Sequence, residues 1–190
     1  MEIKNLIKIY DNVLPLVALS NFIKVINTLS FEDAKIIGNS SEGVVEKNIR
    51  RTKQKFLSQI NNSITITHWH NLLYHYFHNM ILKYSKDLNL IDFPISKIID
   101  ISILKYEGEG FYTWHVDHSA IIPRTISCIL LLNNDYEGGN LCFRNPDGTE
   151  EWSVDVTANR MILWPSTFIY PHTVKPVTKG IRYSVVAWAL

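Results

Sequence analysis

Hydrophobic and polar positions follow two different periods in the two halves of the chain. Residues 3–10, I-K-N-L-I-K-I-Y, predict a first strand that Asp11 and Asn12 end in a turn. Pro15 stands where a helix can begin. Leu16, Leu19, Ile23 and Ile26 then recur at helical spacing over 16–29. Residues 38–43, G-N-S-S-E-G, read as a loop. A longer helical stripe covers about 64–88, with Trp69, Leu72, Leu73, Tyr76, Phe77, Met80, Ile81 and Tyr84 on its apolar face. Asn61, Asn62 and Ser63 offer caps before it. From Ile95 the period shortens. Short β-rich runs at 97–106, 111–117, 125–132, 140–144, 151–156, 160–164, 169–175 and 181–189 alternate with Gly-, Asn- and Pro-containing turns. Eight short strands at this spacing predict a jelly roll, or double-stranded β-helix. The expected class is α+β, mainly β, with supporting N-terminal helices. One domain is expected over 1–190, with residues 1–94 as helical support and partial strands and 95–190 as the core.

Composition narrows this picture. The chain has 190 residues, 46% of them hydrophobic, and a net charge of +1. That supports a sizeable core and lacks the basic stripe of a nucleic-acid binder. The opening lacks the apolar core of a signal peptide, and no window holds about 18 uninterrupted apolar residues. Two cysteines, Cys128 and Cys142, do not make a disulfide scaffold. A cytoplasmic, membrane-free protein is therefore expected. Lys47, Arg50, Arg51, Lys53 and Lys55 read as a solvated face or exposed strand edge. His75 and His78 share a helix face, but no further ligand motif accompanies them.

Chemistry concentrates in residues 106–117, Y-E-G-E-G-F-Y-T-W-H-V-D. In an extended chain His115 and Asp117 point the same way. Together they can chelate a divalent metal, and His172 is the candidate third ligand. A 2-His-1-carboxylate set leaves positions open and suits non-haem Fe(II). Ten residues beyond His172, Arg182 shares a strand face with Ser184, Val186 and Trp188. An arginine among such residues is costly unless an anion meets its planar fork. Ser184 offers a hydroxyl to the same anion, and Tyr106 a phenol.

These residues resemble the prolyl 4-hydroxylase-like branch of the Fe(II)/2-oxoglutarate-dependent dioxygenases. The pattern is Y-x-x-G…H-x-D, then R…L-N, then E-G-G-x-L-x-F, then H-x-V-x-P-V-x-x-G-x-R-Y…W, matched over 106–188. The resemblance implies iron ligation by His115, Asp117 and His172. It implies that Arg182 pairs with the distal carboxylate of 2-oxoglutarate, that Tyr106 hydrogen-bonds the cosubstrate, and that Trp188 lines the pocket. Fe(II), 2-oxoglutarate and O2 are the implied cofactors, with ascorbate as a candidate reductant. Some members carry a tyrosine in the strand before L-N; here that strand reads I-L-L-L, and Ser127 or Ser184 is the candidate replacement. Collagen-type relatives use lysine where this chain has Arg182.

The implied activity is hydroxylation of an unactivated C–H bond, on a prolyl residue of a peptide or protein, with release of succinate and CO2. A free amino acid or small metabolite is the alternative substrate. A non-catalytic jelly-roll module leaves the polar residues together without a purpose, and a cupin-type metalloenzyme leaves Arg182 unexplained. Tyr112, Trp114, Arg124, Arg144 and Trp164 are the candidate substrate contacts; for Trp114 and Trp164 the plain alternative is packing at the barrel ends. Residues 31–60 are a candidate lid.

Overall fold

A computed structural model describes residues 2–36, 43–57, 63–91, 93, 95 and 97–190. Its elements in order are β1 (Lys8–Tyr10), α1 (Leu16–Ile26), β2 (Glu32–Asp33), β3 (Arg50–Arg51), β4 (Lys53–Phe56) and α2 (Ile64–Asp87). The β half follows with β5 (Ile98–Glu107), β6 (Gly110–His115), β7 (Ile126–Leu131), β8 (Glu137–Gly138) and β9 (Leu141–Arg144). It ends with β10 (Glu151–Val154), β11 (Arg160–Pro165), β12 (His172–Lys179) and β13 (Ile181–Ala189). Among the described residues one sheet runs β1-β11-β7-β13-β5-β4-β2 and the other β10-β9-β12-β6-β3, with β8 paired to β12. This is the expected mainly-β jelly roll backed by two helices.

Alternation divides each central strand between two cores. Ile103, Cys128, Leu130, Leu163, Val185 and Ala187 point outward to the helices. Leu104, Ile129, Leu131, Ile162 and Val186 point inward to the second sheet, where Phe143, Val174 and Val177 meet them. The helices supply their half of the outer core through one stripe each: Leu19, Phe22 and Ile26 from α1, and Trp69, Leu73, Phe77, Ile81 and Tyr84 from α2. Phe22 and Trp69 join the stripes at a ring separation of 4.7 Å. Each such side chain contributes about 1.5–3 kcal/mol on burial. Ser63 caps α2 by accepting the Ile66 N–H.

The N-terminal segment departs from the strand expected over 3–10. Ile3–Leu6 is a 3-10 helix, and Lys8–Tyr10 alone pairs with β11. Ile3 and Leu6 pack at the edge of the inner core, and the Leu6 carbonyl accepts the Tyr84 hydroxyl at 2.8 Å. Buried Asn159 clamps the start of α1, bonding the N–H and carbonyl of Leu14 at 2.8 and 2.7 Å.

Two further boundaries move. β6 ends at His115, so Asp117 lies in a bend rather than on the strand expected to 117. The strand expected over 169–175 begins at His172 and runs on to Lys179, because β8 extends its partnership past Pro176. The described part of 31–60 extends the sheet margins: β4 pairs with β5 and carries β2 at the edge, and β3 pairs with β6 at the edge of the other sheet. Residues 38–42 of the expected loop and the expected caps Asn61 and Asn62 lie outside the described residues.

Candidate metal and cosubstrate site

Three elements bring His115, Asp117 and His172 together. β6 and β12 are antiparallel neighbours with His115 directly opposite His172. The bend after β6 then swings Asp117 between them. One ligand atom from each lies within 4.8 Å of the others, and no other such cluster occurs among the described residues. Each imidazole has its Nδ1 against a backbone carbonyl, Thr113 at 2.8 Å and Tyr170 at 3.0 Å. A carbonyl only accepts, so both Nδ1 atoms carry the proton and both Nε2 lone pairs are free for a metal. Those Nε2 atoms lie 3.6 and 3.4 Å from the two Asp117 oxygens.

The charge state suits ligation. Burial and the neighbouring His172 push His115 down to about 3, so it is a neutral imidazole. Burial opposes ionisation of Asp117, but the two imidazoles, the Ser127 hydroxyl and the Trp188 indole together outweigh it and hold the carboxyl below its usual range. Ser127 donates to Asp117 Oδ2 at 2.6 Å and meets the Ser166 hydroxyl at 2.8 Å. Its hydroxyl therefore positions the carboxylate.

Arg182, on β13 opposite Tyr106 of β5, is fully buried. Nη1 donates to Ser184 Oγ at 3.1 Å, while Nε and Nη2 have no partner. Its Cζ lies 5.1 Å from the centroid of the Tyr106 ring. Space for it depends on Gly139: a Cβ there would stand 2.9 Å from Arg182 Cδ. Gly139 also has φ +64, a conformation that favours glycine. Tyr136 adds a buried phenol whose pKa burial raises, while the charge of Arg182 and a hydrogen bond to it act the other way. Sequence reasoning missed Tyr136; its position one residue before E-G-G was the available signal. Buried donors lacking a counter-ion fit a carboxylate of 2-oxoglutarate.

A cavity of about 300 Å³ opens over the triad. Tyr106, Tyr112, Arg124, Trp164 and Trp188 line it; Arg182 and Ser184 are not on its wall, Arg182 reaching only the Tyr106 ring, and neither are Trp114 and Arg144. Those two stack on each other instead, with the guanidinium 4.4 Å from the indole centroid. Tyr112 stacks on His115 at 3.5 Å, and Trp164 meets His172 edge-on at 5.0 Å. Arg124 lies 3.9 Å over Trp188 and pairs with Asp100 at 3.3 Å. Asp100 holds φ +57, an uncommon conformation for a residue with a side chain. Arg50 also lines the cavity. The solvated face expected of this charged run holds for Lys47, Arg51 and Lys53, which are exposed, but not for buried Arg50.

A jelly roll holding a His-Asp-His set, with an arginine buried against Tyr106 of the same cavity's wall, defines an oxygenase-type site. Residues 101–190 match the sequence model of the 2OG-Fe(II) oxygenase superfamily. The matched segment contains all three candidate metal ligands and Arg182. A PKHD-type hydroxylase of Aliarcobacter butzleri is 40% identical over 94 residues, covering 44% of this chain and 40% of that protein. One from Synechococcus sp. (strain CC9902) is 36% identical over 98 residues, covering 50% and 42%. The match thus spans about two-fifths of the length of these curated relatives. Among solved structures, a Trichoplax adhaerens prolyl hydroxylase in complex with a hypoxia inducible factor oxygen degradation domain peptide fragment has TM-score 0.74 at 18% identity, covering 97% of this chain and 83% of that one. A Pseudomonas putida prolyl-4-hydroxylase has TM-score 0.71 at 19% identity, covering 96% and 91%. At these identities the likeness is one of fold. No helix among the described residues is long and apolar enough to cross a membrane.

Proposed function

We propose that the protein is an Fe(II)/2-oxoglutarate-dependent dioxygenase that hydroxylates an unactivated C–H bond, on a prolyl residue of a peptide or protein. Residues 95–190 form the catalytic core and 1–94 its support. The observation that carries this reading is Arg182, fully buried in the core with Nε and Nη2 unpartnered. A non-catalytic jelly roll or a cupin-type metalloenzyme gives that arginine no counter-ion.

His115, Asp117 and His172 hold the metal. Their Nδ1–carbonyl bonds and the Ser127 hydroxyl fix the three ligand atoms before it arrives. Arg182, with Ser184 and the Tyr136 phenol, holds the distal carboxylate of the cosubstrate, and Tyr106 contributes a donor from the facing strand. When bound, iron and 2-oxoglutarate supply the oxidative chemistry, in which one oxygen atom of O2 enters succinate and the other the substrate. Ascorbate is the reductant expected to keep the iron ferrous. The protein's own part is orientation and exclusion of water; the cavity's apolar wall of Leu104, Ile129, Leu141, Val174 and Val186 does the latter.

Likeness in fold to a prolyl hydroxylase with a bound peptide supports the prolyl substrate. Incubation with Fe(II), 2-oxoglutarate, O2 and proline-containing peptides is the test. Peptide-dependent succinate release, with gain of one oxygen atom on proline, is expected. Succinate release without proline oxidation in any peptide would overturn the prolyl assignment.

A further inference from the structure

Arg50 is a charged group on the cavity wall that neither the metal ligands nor Arg182 account for. It is 8% exposed, and its neighbour on the same wall, Lys35, is also cationic. The guanidinium lies 4.7 Å over the Tyr112 ring, and Tyr112 stacks in turn on His115. One donor, Nη1, reaches the Lys35 carbonyl at 3.2 Å, while Nε is buried without a partner. The carboxylates of the cavity wall among the described residues are engaged elsewhere: Asp100 with Arg124, and Asp117 in the triad. A desolvated guanidinium with an unpartnered Nε–H and no counter-ion is unfavourable alone and is met by a carboxylate. One aromatic ring separates it from an iron ligand, so an anion held there belongs to a molecule inside the reaction cavity.

We propose that Arg50, with Lys35, binds a carboxylate of the substrate. The oxidised molecule then carries an acidic group close to its reactive carbon, either its own α-carboxylate, as in a free or N-acylated amino acid, or the side chain of an adjoining acidic residue in a peptide. This rests on the dioxygenase reading and sharpens its substrate class.

The test uses the full chain loaded anaerobically with Fe(II) and 2-oxoglutarate, with binding measured by calorimetry. The probes are a panel of N-acetyl amino acids against their primary amides, and acetyl-Pro-Glu-amide against acetyl-Pro-Gln-amide. The first set places the carboxylate on the reactive residue; the second places it on a neighbour. We expect the carboxylate member of one set to bind roughly tenfold or more tightly. Arg50→Gln should remove that preference and Arg50→Lys should keep part of it, with the visible band of the iron–2-oxoglutarate complex unchanged in both. A carboxylate advantage absent from the wild-type protein, whether both members bind equally or neither binds, overturns the proposal. So does an advantage that survives in Arg50→Gln. Failure to form the iron–2-oxoglutarate band in the wild-type protein would instead overturn the dioxygenase reading itself.

Discussion

The two faces of β13 are equally buried and oppositely finished. On the outer face Val185, Ala187 and Ala189 meet the apolar stripes of α1 and α2. These three side chains are satisfied by packing alone. On the inner face Arg182 and Ser184 are just as inaccessible, yet Arg182 has no counter-ion and meets only the neutral Ser184 hydroxyl and Tyr136 phenol. One face realises its free energy when the chain folds; the other holds part of it back until a ligand arrives. Changes on the outer face should therefore move stability and spare affinity, and changes on the inner face should do the reverse.

The largest effect is expected from His172→Ala, which removes one of three ligands. Iron binding followed by equilibrium dialysis should be lost and turnover abolished, while the apo protein stays folded. Arg182→Leu comes next. It should weaken 2-oxoglutarate binding about 30-fold or more, the usual cost of removing one partner of a buried charged pair. It should leave the melting temperature of the apo protein unchanged or raised, because an uncompensated buried charge is gone. A marked fall in melting temperature with unaltered affinity would reverse the roles of the two faces.

Phe77→Ala, behind the outer face, should cost about 3–5 kcal/mol in a denaturant titration. At temperatures where the variant remains folded, its 2-oxoglutarate affinity should match the wild type. Ser127→Ala frees the Asp117 carboxylate from its 2.6 Å hydrogen bond and should weaken iron binding about 10- to 100-fold.

A separate effect is one of pH. Burial lowers His115 from 6.5 to about 3 in the folded metal-free protein. Between those values the unfolded chain takes up a proton that the folded chain refuses. Stability is thus fully present above the unfolded value and declines as pH falls from 6.5 toward 3. Asp117, also lowered, adds loss in the same direction at the acid end. Melting curves across this range should show the decline in wild type and a flatter profile in His115→Gln.

The contrast between the faces also explains what the sequence could disclose. Alternation along 98–189 marks each long strand because one side always meets an apolar core, and the helical stripe from Trp69 to Tyr84 does the same for α2. His115, His172 and Arg182 were legible because polar groups on such strands stand out against their neighbours. Asp117 was found with its backbone misplaced: the bend that turns it is set by contacts with Ser127 and Ser166, far along the chain. Arg50 and Tyr136 were missed for a related reason. Each sits in a short segment, a two-residue strand among exposed charges and a turn before glycines, whose direction is set by pairing with β6 and by packing against Arg182. No local period reports such partners. The 3-10 turn of Ile3–Leu6 was hidden in the same way, since four residues are too few for alternation to separate strand from helix.

The most direct measurement is an anaerobic absorption titration of the metal-free protein with Fe(II), followed by 2-oxoglutarate. A weak visible charge-transfer band should appear only when both are present, vanish in His172→Ala, and require much more 2-oxoglutarate in Arg182→Leu. Iron binding with no band on adding 2-oxoglutarate would contradict the assignment of the unfinished face as a cosubstrate site.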